Sequence, residues 1–263
     1  MIKENNLLSI ISLMSILIIL AGCQNYQADG VVGTKYIQQE LTEEQKIEAA
    51  KAPDGMIYIP EGEYISGSPK NSTKIWLSAF YIDKYEVTNK QFQEFIDKNP
   101  QWQRGKVNLS FQDGHYLAGF EDQMVPAGKE QHPVAWVSWF AAKAFCEAEG
   151  KRLPTSWEWG KAARGTDGRI YPWGDKFKGE NANFCDNSCP FWDRAKTWND
   201  GFPRAAPVGS ISGGASPYGV LDMSGNIADW VNNWALSSAV ASEPKQVLDP
   251  KGPVGGVTKL VLG

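Results

Sequence analysis

Histidine is almost missing from this chain. Its 263 residues include two, His115 and His132. Nucleophilic catalysis of the Ser-His-Asp or Cys-His kind needs a positioned base, and neither histidine reads as one. His132 precedes Pro133 in an HPV motif and reads as a satisfied structural histidine. His115, in FQDGHY, reads as a surface loop residue. Basic runs and basic–aromatic interleaving are missing too, and the net charge is −4, so no nucleic acid partner is expected. Internal repeats and low-complexity tracts are absent from the sequence. Cysteine is scarce at four residues. The CxxxC of Cys185 and Cys189 has no second Cys/His pair with which to complete a zinc site.

What is abundant is aromatic and small. There are 11 Trp and 26 Gly, and 42% of the residues are apolar. That composition supports a real core and argues against disorder. It favours a loop-rich fold in which large rings fill the space between irregular segments.

Residues 7–21 are nearly all Leu, Ile, Ser and Met. The run is too short for a comfortable membrane span and matches the apolar region of a signal peptide. It ends in Leu20-Ala21-Gly22-Cys23, which resembles the lipobox of bacterial lipoproteins. Residues 1–22 are therefore expected to be a removed leader, with Cys23 lipidated as the new N-terminus. That places the protein in the cell envelope, extracytoplasmic and anchored to a membrane through acyl chains such as palmitate. Gln24 is not an Asp-type retention signal, which favours an outer membrane or surface location. In that compartment Cys185 and Cys189 are expected to form a small disulfide loop. Cys146, on the apolar face of a helix, reads as a buried core thiol.

Residues 23–52 are polar and read as a tether, with 41–52 a charged segment of helical propensity. The main domain is expected over 53–263. MIYIPEGEYISGS reads as two strands around a hairpin turn, and residues 75–88 continue as strands. Thr88 to Gln91 and Thr155 to Glu158 are capping boxes, the first opening a helix with Phe92, Phe95 and Ile96 on one face. Ser138 caps a helix running to Glu149, with Phe140, Ala144, Phe145 and Ala148 inward and Gly150 as its stop. From 166 onward the pattern is mainly loops, turns and short strands.

Five stretches occur in order: residues 80–95, residues 132–165, YPWGD, APVGS and YGVLDMSGNIADWVNNW. Together they resemble the formylglycine-generating enzyme family, the sulfatase-modifying factor domain. The resemblance implies an α+β, loop-rich variant of the C-type-lectin-like fold with bound calcium. It also implies oxidation of a sulfatase cysteine to formylglycine, using copper held by a cysteine pair. That pair lies in a segment beginning Arg-Gly-Gly-Ser, and the chain stops at Gly263, about where the segment is expected to start. The domain is therefore expected to be C-terminally truncated, without catalytic residues, and to hold copper only in a longer form carrying the pair. The family's LPTEAEWE pattern stands here as LPTSWEWG.

Asp222 and Asp229 bracket a Ser-Gly-Asn turn within an otherwise apolar segment. By themselves these residues read either as Asx-turns and caps or as ligands of a hard cation, which takes six to eight oxygens from carboxylates, amides and carbonyls. A carboxylate pair for glycoside hydrolysis explains the spacing less well. The resemblance implies one calcium site formed by the side chains of Asp222 and Asp229 with the carbonyls of Gly225 and Ile227. It implies a second from the side chains of Asn183 and Asp200 with the carbonyls of Phe184 and Phe202. Asp229 stands where the family often has Glu, one methylene shorter. Expected partners are a client sulfatase or, for a non-catalytic module, a protein or glycan of the envelope.

Overall fold

The computed structural model describes residues 2–3, 40–68, 71–191, 194–235 and 247–263. Cys23 and the apolar run at 7–21 lie outside the described residues. Among the described residues no helix is long and apolar enough to cross a membrane.

Among the described residues, three small antiparallel sheets and four short α-helices form the fold. Strand β1 (Ile2–Lys3), which falls within the leader expected to be removed, lies on one edge of β5 (Phe80–Asp83), and β2 (Met56–Ile59) on the other. Strands β3 (Gly62–Ser68) and β4 (Asn71–Leu77) pair with each other. The third sheet joins β6 (Asp229–Trp234) to β7 (Lys259–Leu262), with Asp229 opposite Leu262. The helices are α1 (Glu43–Ala50), α2 (Asn89–Lys98), α3 (Trp139–Ala148) and α4 (Ser156–Arg164). Long stretches without regular structure connect them, so the α+β, loop-rich class holds.

The expected hairpin at Pro60–Glu61 does not form. Strand β2 pairs with β5 and β3 with β4, so the turn is a corner between two sheets. Lys161 of α4 fixes that corner. Its side chain is wholly buried, and its Nζ donates to the carbonyls of Pro60 at 2.6 Å and Gly62 at 3.1 Å. Burial draws its pKa down to about 8. Beside it, Gly160 lets α4 approach β3: a Cβ there would run into the Tyr64 hydroxyl, which accepts a hydrogen bond from Arg164.

Local signals set the helix ends. Thr42, Thr88 and Thr155 each accept from the backbone N–H three residues on, and Gln45, Gln91 and Glu158 reach back to complete the boxes. Helix α1 buries none of its own residues fully, yet it docks: Ala49 and Ala52 pack on Met56, Tyr58 and Tyr81, and Tyr81 donates to the Glu48 carbonyl.

Two cores position everything else. In one, Phe92, Phe95 and Ile96 of α2 meet Ala141 and Phe145 of α3. The Phe92 and Phe145 rings stack at 5.7 Å, each such burial contributing about 1.5–3 kcal/mol. In the other, Ile59, Phe80 and Ile82 pack against Ala162, Ala163, Val220 and Met223. Phe140 was expected inward but is exposed, as is Ala148. The buried face of α3 runs through Ala141, Phe145 and Cys146, which turns Phe140 outward onto Phe111 at 4.7 Å. Trp136 is likewise 60% exposed rather than core filler.

Candidate metal centre

The segment from Asp222 to Asp229 is a tight double reversal. Asp222, Gly225 and Asn226 have φ of +58°, +80° and +60°. Asp and Asn tolerate this left-handed backbone because their short polar side chains bond locally. At 225 no other residue fits, because a Cβ would strike the Asn183 carbonyl oxygen.

Each acid has one oxygen committed. Asp222 Oδ2 accepts from the Gly209 N–H at 2.6 Å. Asp229 Oδ2 accepts from the Trp159 indole at 2.9 Å. A third carboxylate, which the sequence did not single out, faces them. Glu86 Oε2 accepts from Asn226 Nδ2 at 2.6 Å, and Oε1 from the Ile227 N–H at 3.2 Å. Burial, then the charges of Asp229 and Asp222, hold the Glu86 carboxyl well above its ordinary range. Burial pushes Asp229 and Asp222 up as well, against the hydrogen bonds from Trp159 and Gly209. A cavity of about 110 Å³ lies alongside, lined by Phe92, Phe145, Cys146, Met223 and Trp230 as well as by Glu86 and Asp229.

The second predicted set comes together beside the first. The Asn183 carbonyl accepts from the Asn226 N–H at 2.8 Å. Asn183 Nδ2 donates to the Arg204 carbonyl at 2.8 Å. Asp200 Oδ1 accepts from the Phe202 N–H at 2.8 Å. Asp200 Oδ2 is buried with no hydrogen-bond partner. Burial, opposed by the Phe202 N–H, raises the Asp200 pKa, and the charge of Asp186 adds to the rise. Leaving such an oxygen unpaired costs about 1–3 kcal/mol or more.

These donors suit a hard cation. No three Asp, Glu, His or Cys side chains gather closely enough to hold a metal by themselves among the described residues. Bound ions would complete their shells from backbone and amide oxygens, one from Asn183 and the carbonyls of Phe184 and Phe202, the other from the carbonyls of Gly225 and Ile227, in the manner of calcium. Copper does not fit the described thiols. Cys185 and Cys189 are bonded to each other. Cys146 is 1% exposed, and burial pushes its thiol up to about 12.

The histidines stand apart. His115 is exposed, its ring 5.9 Å from Trp136. His132 is not fully satisfied: Nε2 meets Lys129 at 3.2 Å, while Nδ1 is buried without a partner. Glu86, Asn226, Asp186 and Trp159 are the site residues that sequence reasoning missed. Only Asn226 had a local signal, the Ser-Gly-Asn turn.

Residues 40–255 match the family described as the sulfatase-modifying factor enzyme 1-like domain. The match begins ahead of the boundary expected at Pro53, at the start of the segment that holds α1. A Bacillus subtilis protein, YfmG, of uncharacterised function, is 32% identical over 75% of this chain, which spans 45% of that protein's length. The formylglycine-generating enzyme of Bos taurus is 27% identical over 92% of this chain and 75% of its own. The inactive C-alpha-formylglycine-generating enzyme 2 of the same species is 31% identical, over 73% and 72%. Among solved structures, Treponema denticola variable protein 1 superposes with a TM-score of 0.53 at 19% identity, covering 78% of this chain and 81% of its own. That likeness is one of fold. The chain belongs to the sulfatase-modifying factor enzyme 1-like domain family.

Proposed function

We propose that these residues form a calcium-braced binding module of a lipid-anchored envelope protein. The observation that carries this reading is the buried, unpartnered Asp200 Oδ2. Asn183, Phe184, Asp200 and Phe202 would hold one ion, and Asp222, Gly225, Ile227 and Asp229 another. Calcium supplies charge neutralisation and cross-links loops that share little regular structure. The braced loops then present a fixed surface to a protein or glycan of the envelope.

Calcium-dependent stability tests the brace, and substitution at Cys23 tests the anchor. Cys23→Ser is expected to abolish acyl incorporation and release the protein from the membrane fraction. Retention of the label by that variant would overturn the anchor.

A second reading is formylglycine formation on a sulfatase cysteine. The bovine relative named for that activity favours it, whereas the relative named inactive shows that family membership alone does not decide activity. The described cysteines offer no exposed free thiol to carry the oxidation. Mass spectrometry of a sulfatase peptide incubated with the protein decides between the two. Exchange of the target thiol for an aldehyde would establish the enzymatic reading, and an unchanged peptide the binding module.

A further inference from the structure

We propose that the Cys185–Cys189 disulfide sets the geometry of the Asp200 cation site, with Asp186 as the positioning residue between them. The inference rests on the calcium reading above. Asp186 lies inside the disulfide-closed ring and is wholly buried. Both its oxygens are engaged. Oδ1 accepts from the N–H and hydroxyl of Ser188, each at 2.7 Å, within the same ring. Oδ2 accepts from the backbone N–H of Asp200. Burial works against the Asp186 charge, but these bonds outweigh it and hold its carboxyl below the ordinary value.

Two further bonds fasten the ring to the segment leading to Asp200. Asn187 donates to the Trp198 carbonyl at 3.2 Å, and Ala195 donates to the Cys185 carbonyl at 3.0 Å. On the other side, Asn183 and Phe184 run directly into Cys185. The closed ring therefore holds both halves of the site in one frame. Asp200 Oδ2 is the buried oxygen of this frame without a hydrogen-bond partner. The Asp222–Asp229 turn makes no contact of this kind with the ring. Its supports are Glu86, Gly209 and Trp159, and it meets the other site through the bond from the Asn226 N–H to the Asn183 carbonyl.

Reduction opens the frame. A phosphine delivers two electrons to the S–S bond, two protons complete the thiols, and the phosphine leaves as its oxide with oxygen from water. The freed segment gains conformational entropy that a cation must then overcome. Such indirect supports of metal ligands are worth about 10- to 100-fold in affinity.

The experiment titrates the whole chain with calcium chloride in a calorimeter, oxidised and phosphine-reduced, with free thiols counted by mass spectrometry. Asp186→Asn supplies a variant with the disulfide intact, and Asp200→Asn identifies which binding step belongs to this site. The expected result is that reduction and Asp186→Asn each weaken the Asp200 step at least about tenfold and the Asp222 step by much less. Equal affinities in the oxidised and reduced protein would overturn the coupling while leaving calcium binding intact. Equal weakening of both steps would overturn it too, as general loosening. No binding by the oxidised protein would overturn the calcium reading and this inference together.

Discussion

Asn226 donates from its side-chain amide to Glu86 at 2.6 Å, across 140 positions of the chain. The same residue takes the Ala206 N–H on its Oδ1 at 2.8 Å and gives its own N–H to the Asn183 carbonyl at 2.8 Å. One left-handed asparagine thus ties four segments together, and both candidate cation sites are built around it. Asn226→Ala removes a bond to the part-buried Glu86 carboxylate and places a Cβ-bearing residue without local compensation at φ +60°. A loss of about 3 kcal/mol is expected in urea unfolding. Asn226→Gly keeps the backbone conformation and is expected to lose roughly 1 kcal/mol less. Equal stability of wild type and Asn226→Ala would remove the residue from its central role.

Lys161 yields a pH prediction. Its ammonium is buried at the corner between β2 and β3, and burial lowers its pKa from 10.5 to about 8. Between those values the unfolded chain holds a proton that the folded chain has given up. Stability therefore rises with pH from about 8 to 10.5, by roughly 3 kcal/mol for this group. Below pH 8 both states are protonated and this contribution is flat. Lys161→Met is expected to lose that slope while leaving the Pro60 and Gly62 carbonyls without their donor. Parallel pH profiles for wild type and variant would contradict the assignment.

Gly160 tests helix packing with an inverted sign. Glycine inside an exposed helix is about 1 kcal/mol worse than alanine. Here the added methyl would meet the Tyr64 hydroxyl, so Gly160→Ala is expected to destabilise, by about 1–3 kcal/mol. A thermal melt of the variant above that of wild type would show that β3 yields freely.

What the sequence made legible was local. The capping threonines 88 and 155 and the apolar face of α2 depend on residues within one or two turns, and they stand as read. The Pro60–Glu61 turn looked like a hairpin because its flanks have strand character. Strand partners are chosen at longer range, and β5 and β4 took them. Phe140 looked inward by hydrophobicity alone, yet the helix turns it out onto Phe111. Glu86 lies just ahead of a capping box, at the end of a stretch read only as strand. Its meaning depends on Asn226 and Ile227, which no local pattern connects to it. Asp186 was hidden differently, inside a CxxxC whose cysteines suggested a disulfide loop and nothing more.

The central claim is that the part-buried carboxylates of Asp200 and of Asp222 with Asp229 are completed by calcium. Thermal melts of the intact chain in EDTA and in excess calcium test it most directly. With calcium about a hundredfold above its dissociation constant, each site is expected to contribute about 2–3 kcal/mol. For a domain of this size that is roughly 5–10 °C per site. EDTA is expected to lower the midpoint by that amount and restored calcium to recover it, with Asp200→Asn and Asp222→Asn each retaining part of the shift. Superimposable melts in EDTA and calcium would contradict the account.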